Sequence, residues 1–371
     1  MESNRYFSDI KQLYKDLSSA PSVSGGERSA HMSVCDTVMG YTKFFDSFEE
    51  TPAGGLLFFH HSKNENAKKI LFDAHLDTVG FCVTQLVEGG FVKVRNVGGI
   101  DKRLLFASEV EIHGKKTVKG VFSSTPPHLS KGEDKDKLPD ISDMYVDTGL
   151  SFEKMSEIIS VGDFCSFPFS YTELMNDIIC GAGMDDKICA VAVLVAAKML
   201  ENDESYKDEN DIIFSFSSAE EISGSGASYI SKLCADAAIV LDVNFGREKG
   251  IAEYESYILG SGCGISYSCT TSRELTDALV ECARKENIPC NTLVEAKSTG
   301  TNAHYLSNSF LGTKSCVLSV PEKYMHTANE AVDIKDVLSC GQLLCAFSKR
   351  FNDIYDEINK GKIIKPLPEV R

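Results

Sequence analysis

DIIFSFSSAEEISGSGASYISKL, residues 211–233, is an apolar run, then two adjacent carboxylates, then a glycine-serine turn, then a helix-like stretch. The first seven residues are short, β-branched and aromatic, which reads as a buried strand, and the segment after the turn reads as a helix. A strand that is apolar throughout and feeds a helix belongs to a sheet covered on both faces. Glu220 and Glu221 leave that strand at its carboxyl end. Two like charges there need either bulk water or a nearby positive charge.

The same alternation continues on both sides of the stretch. MDDKICAVAVLVAAKML (184–200) reads as an apolar helix, DAAIVLDV (236–243) as a strand and RELTDALVECARKEN (273–287) as a helix. TKSCVLSVP (313–321) reads as another strand, and DIKDVLSCGQLLCAFSKRFNDIYDEI (333–358) as a long closing helix. Towards the amino terminus, YFSDIKQLYKDL and GERSAHMSVCDTVMGY read as helices, followed by the strand-like runs KFFDSF, GLLFFH and KKILFDAH. Between them the texture differs. VGFCVTQL, GFVKVRNV, LFASEVEIHG and TVKGVFS are short β segments punctuated by glycine and charged turns. SKGEDKDKLPD, residues 130–140, reads as a mobile surface loop.

The expected fold class is therefore α/β, with a mixed, mainly parallel sheet flanked by helices and interrupted by a smaller all-β domain. Residues 1–77 and 179–371 form the α/β domain in two parts, and 78–178 the insert.

Composition narrows the partners. Charged residues are 25% of the chain and hydrophobic residues 43%, which is the balance of a globular protein and not of a disordered one. A net charge of −16 would repel nucleic acid and an anionic membrane, so neither is expected as a partner. The amino terminus has no apolar core of a signal peptide, and no run is long enough to span a bilayer. The 13 cysteines are odd in number, form no CxxC pair and lie mostly in apolar runs, which points to free buried thiols and a reducing cytoplasm.

In open α/β sheets, sites gather at the carboxyl ends of strands. KKILFDAHLD delivers His75 and Asp77 there, DIIFSFSSAEE delivers Glu220 and Glu221, and DAAIVLDV delivers Asp242. TKSCVLSVPEKYMH runs out to His326, and Asp185 and Asp186 stand just before the apolar helix. Imidazoles with several carboxylates and no thiolate form a donor set for Zn, Co or Mn. Five such ligands suffice for two ions if one carboxylate bridges, and paired ions can polarise a carbonyl and bind a hydroxide. Of two adjacent glutamates, one can coordinate while its neighbour takes a proton from the attacking water.

His75-Leu-Asp77, Met184-Asp185-Asp186-Lys187, Glu220-Glu221, Leu241-Asp242 and Tyr324-Met325-His326, in this order, resemble the co-catalytic metallo-aminopeptidases, and more narrowly their M42 branch of glutamyl and tetrahedral aminopeptidases. The M20 carboxypeptidase and deacylase branch shares the order of ligands but places its extra lobe late. Here 110 residues separate His75 from Asp185 and only 84 separate Asp242 from His326, which is the M42 arrangement. APSVSGGE, VGGIDKRLL, IHGKKTVKGV, STPPHL and VDTGLS are also similar to M42 segments.

The resemblance implies an aminopeptidase that hydrolyses N-terminal residues from peptides with two divalent ions, Zn or Co foremost and Mn as a further candidate. It implies one ion on His75, Asp185 and Asp242 and a second on Asp185, Glu221 and His326. Glu220 would activate a bridging water, and Asp77 would orient His75. Peptides are the implied substrates and homo-oligomers the implied assembly, as dimers or a hollow dodecamer, with the β insert serving assembly and access. Two departures stand out. Thr78 replaces a frequent Glu, and Asn302 replaces an Asp placed near the substrate end of the site in relatives. The alternatives are a deacylase or other amidohydrolase on the same site, a non-catalytic relative, and a glycosidase working through paired carboxylates.

Overall fold

A computed structural model describes residues 2–124, 138–309 and 312–360. The chain opens with α1 (Glu2–Ser18), α2 (His31–Tyr41), β1 (Ser47–Glu50), β2 (Leu56–His60) and β3 (Lys69–His75). Next come β4 (Gly80–Val87), β5 (Phe91–Val97), β6 (Glu109–His113), β7 (Thr117–Phe122), β8 (Val146–Asp147), α3 (Phe152–Ile158) and β9 (Phe164–Ser166). Then follow β10 (Tyr171–Glu173), β11 (Ile178–Gly181), α4 (Met184–Glu201), β12 (Asp211–Ser217), α5 (Ser225–Ile230) and β13 (Ala237–Phe245). The last elements are β14 (Cys263–Ser268), α6 (Arg273–Lys285), β15 (Cys290–Glu295), α7 (Asn302–Asn308), β16 (Ser315–Lys323), β17 (Glu330–Asp333) and α8 (Ile334–Asn359). Most of the charged stretch expected as a loop at 130–140 lies outside the described residues.

Eleven strands form one mixed sheet in the order β1-β2-β12-β3-β13-β16-β17-β11-β10, with β14 and β15 branching from β16. Its centre is parallel: β12 with β3, β3 with β13, and β13 with β16. Its flanks are antiparallel. The central strands are apolar on both sides because both faces are covered. Ile70, Phe72, Ile239 and Leu241 point to the layer of α1, α4 and α8, while Leu71, Ala238 and Val240 point to the layer of α5 and α7. α4 is buried over nearly its whole length, which explains a helix with almost no polar face.

Six strands close into a separate small barrel, β4-β5-β8-β7-β6-β9. Its core of Phe81, Val83, Val94, Val110, Ile112, Phe122 and their neighbours is apolar throughout. The barrel strands end at Ser166, short of residue 178. β10 pairs instead with β11 at the edge of the large sheet. Among the described residues no helix is long and apolar enough to cross a membrane.

Candidate metal centre

β3, β12 and β13 run parallel, so their carboxyl ends open onto the same edge of the sheet. β12 ends beside His75, with Ser217 paired directly opposite it. The chain then turns through Ala219 in left-handed backbone (φ 56°), and Ser223 and Gly224 donate their N–H groups back to its carbonyl. That tight turn projects Glu220 and Glu221 over the end of β3. Its strain is offset by Glu27, a buried carboxylate that accepts the Ala219 N–H at 3.0 Å.

Five of the expected ligands converge. Asp185 places Oδ1 at 3.0 Å from Nε2 of His75 and Oδ2 at 3.1 Å from Nε2 of His326. One carboxylate therefore faces both imidazoles, one oxygen to each. Glu221 Oε2 lies 3.4 Å from Nε2 of His326, and Asp242 Oδ1 lies 3.9 Å from Nε2 of His75. Asp186, which the expected ligand set omits, also enters here. Donor atoms of His75, Asp185 and Glu221 lie within 4.8 Å of one another, and so do those of His75, Asp186 and Asp242. Asp186 also accepts the His75 N–H at 3.2 Å, so its carboxylate fixes the end of β3.

Asp77 is fully buried, but its carboxylate does something other than orient the His75 ring. Oδ1 accepts the N–H of Glu220 at 3.1 Å, and Oδ2 accepts the N–H of Glu221 at 3.2 Å and the hydroxyl of Ser24 at 2.5 Å. The ring is held by the Asp77 main chain, whose carbonyl lies 2.8 Å from Nδ1 of His75, against 3.6 Å for the nearer carboxylate oxygen. A carbonyl only accepts, so Nδ1 carries the proton and Nε2 is the nitrogen turned towards the carboxylates.

Asn302 sits deeper than a substrate contact would. It is buried at the start of α7, and its Nδ2 donates to Asp73 Oδ2 at 2.9 Å and Ser217 Oγ at 2.8 Å, behind the end of β3. Thr301 caps α7 by accepting the Ala303 N–H, and this turns Asn302 towards the sheet. Thr78 binds through its main chain, donating its N–H to Ser22 and accepting that of Ser24.

The barrel contributes a pair of glycines that sequence reasoning left without a role. A Cβ on Gly98 would stand 3.4 Å from Glu221 Oε2, and one on Gly99 would stand 3.3 Å from Nδ1 of His326. Gly98 also has φ +77° and would crowd Val79 at 2.8 Å with a Cβ, so glycine suits this position in the turn after β5.

The electrostatics fit a cation. Burial, with the nearby charges of Asp185, Glu221 and Asp77 and against the pull of His75, pushes Glu220 up to about 8. Burial pushes Asp242 well above the carboxylate range, with Asp186 adding to it. Burial works against a charged His326, but Asp185 and Glu221 outweigh it and hold the imidazole at about 11. Asp185 Oδ1, Asp186 Oδ1 and Glu221 Oε1 are buried without a hydrogen-bond donor. Oxygens left bare in this way, beside two imidazole nitrogens, are the donors a divalent ion takes. His75, Asp185, Asp186, Glu221, Asp242 and His326 are the residues that could hold it.

The family description M42 glutamyl aminopeptidase matches residues 54–343. The lysyl aminopeptidase of Pyrococcus furiosus is 28% identical over 88% of this chain and 93% of its own length. An aminopeptidase from the archaeon Desulfurococcus kamchatkensis shares the fold with a TM-score of 0.85 and 26% identity, over 97% of this chain and 100% of that one. The TET1 peptidase of Pyrococcus horikoshii, which can assemble into a tetrahedron or a large octahedral shell, aligns with a TM-score of 0.78 and 27% identity over 91% of this chain and 99% of that one. With a family match of that extent around such a cluster, this chain belongs to the M42 glutamyl aminopeptidases, hydrolases that act on peptide bonds.

Proposed function

We propose that the protein is a two-cation aminopeptidase that removes N-terminal residues from peptides, with Glu220 as its general base. The observation that carries the reading is Asp185, whose two oxygens face His75 and His326 separately at 3.0 and 3.1 Å. A carboxylate so divided suits two neighbouring ions, one with His75 and Asp242 and one with Glu221 and His326. Zn or Co suits this mixture of nitrogen and oxygen donors best, and Mn is acceptable. When bound, the ions would supply a Lewis acid for the scissile carbonyl and lower the pKa of water.

The chain's own groups do the rest. Glu220 accepts a proton from the attacking water and passes it to the leaving amine. Its neighbour Glu221 is occupied with His326, which leaves Glu220 free for that exchange. Asp77 holds both residues by their N–H groups, so the base and the ligand keep a fixed spacing. A carboxylate fixed beside the attacking water can take part in both halves of this transfer.

The reading takes residues 78–178 as an insert that serves assembly and access, in a homo-oligomer of dimers or a dodecamer. The shell-forming TET1 peptidase supports that assembly. Its thirteen free cysteines support a reducing, cytoplasmic site of action.

The test is hydrolysis of a panel of unblocked peptides, each with an N-acetylated twin, by protein loaded with Zn or Co and by chelated protein. Cleavage confined to free N-termini and lost on chelation is the expected result. Cleavage of the acetylated twins alone would favour a deacylase, and no cleavage of either would leave the non-catalytic reading.

A further inference from the structure

We propose that Glu330 is a positioning residue: by accepting main-chain N–H groups from both sides of the bridging position, it fixes Asp185 and His326 to face one cation. This rests on the two-cation reading above and adds a residue to it. Glu330 is 1% exposed. Its Oε2 accepts the N–H of Met184 at 2.7 Å and of Asp185 at 3.3 Å, and its Oε1 accepts the N–H of His326 at 2.9 Å. One side chain thus joins the start of α4 to the turn after β16.

The topology explains why it can. Glu330 begins β17, which lies between β16 and β11 in the sheet. β11 leads through Gly181 into Met184 and Asp185, and Gly181 is paired directly opposite Glu330. β16 leads into the turn that carries His326. In that turn both Tyr324 and His326 have left-handed backbone, with φ of 62° and 61°, a conformation unfavourable for side chains of this size. The hydrogen bond from the His326 N–H to Glu330 offsets that strain and sets the direction of the imidazole. Without it, the two ligands are on separate segments, and their 3.1 Å approach is left to the cation alone.

A neighbouring acid provides the contrast. Glu322, on β16, is also 1% exposed, but neither of its oxygens meets a hydrogen-bond donor. It carries burial and charge close by without the clamp.

The experiment compares wild type, Glu330→Gln and Glu322→Gln, each stripped of metal and titrated with Co²⁺, followed by visible absorption and equilibrium dialysis. Glutamine at 330 keeps the volume but turns an amide NH2 towards an N–H. The expected result is a loss of about 10–100-fold in affinity for one of two Co²⁺ ions in Glu330→Gln, with altered absorption bands. Glu322→Gln is expected to bind both ions as wild type does. Wild-type affinity and spectrum in Glu330→Gln would overturn the proposal while leaving the two-cation reading intact, and so would an equal loss in Glu322→Gln. A wild type that binds no Co²⁺ would overturn both. Should Glu330→Gln fail to fold, hydrogen exchange on metal-free wild type decides the question. Slow exchange at Asp185 and His326 is expected, and unprotected exchange there would overturn the clamp.

Discussion

The barrel and the rim of the large sheet bury very different things. The barrel core is aliphatic and aromatic, with Phe81 against Phe122 at 5.0 Å between ring centroids and Phe167 beside them. The rim buries His75, Asp77, Asp185, Asp186, Asp242, Glu322 and Glu330, each less than 9% exposed. Closing the barrel leaves no open strand edge, and its stability comes from area removed from water. The rim gains little of that kind, and its acids repel one another until protons or cations intervene. One region is therefore complete in itself, and the other is built around a charge it must acquire. Stability and activity should then respond to different substitutions.

The sharpest separation is expected from Glu220→Gln. Removal of the proposed base should lower kcat by about 10²–10⁴-fold, while metal content and the melting temperature stay near wild type. Peptide turnover and metal analysis on one preparation test this. Loss of bound metal in that variant would mean that Glu220 is a ligand.

The converse is Phe81→Ala, which should cost about 3–5 kcal/mol as a large buried aromatic side chain. Urea unfolding reads that loss. The folded fraction should still bind cations with wild-type stoichiometry, and a parallel loss of both would erase the distinction between the regions.

The smallest effect should appear in pH. In metal-free protein Glu220 and Glu330 are raised by burial from 4.5 to about 8, so the folded state holds protons there that the unfolded chain releases. Stability from this source falls as pH rises from 4.5 to about 8. His326, raised from 6.5 to about 11, adds stability that is complete below 6.5 and is lost on the way to 11. Asp185 runs the other way, but its gain is complete a little above its ordinary 3.8. Melting should therefore fall as pH rises in chelated protein. Metal should flatten that slope. An equal slope with and without metal would show that the rim acids are not what titrates.

The candidate ligands could be picked out in the sequence because each is a polar residue placed after an apolar strand or before an apolar helix, in a fixed order along the chain. The α/β alternation and the β insert were legible for the same reason, since periodicity is local. What escaped is the set of contacts made to main-chain groups. The carboxylate of Asp77 serves the N–H groups of Glu220 and Glu221, which are more than 140 residues away. Asp186 serves His75, and Glu330 serves Asp185 and His326. No spacing or composition marks such a pairing, because every residue except proline has an N–H to offer. Asn302 was expected towards substrate and instead binds Asp73 and Ser217, because the cap at Thr301 decides which way that helix begins. The border of the insert was blurred by β10, a strand of three residues that joins the large sheet.

The place of β16 beside β13 has a consequence for how the protein is made. His75, Asp185, Glu221 and Asp242 leave the ribosome well before His326, which follows Asp242 by 84 residues. At 5–20 residues per second that delay is about 4–17 s. Throughout it β13 lacks its later neighbour, and His75 is the one imidazole beside the acids already made. A second imidazole reaches the acids only after β16 has docked, so occupation of the His326 side of the centre would record that this part of the sheet is assembled.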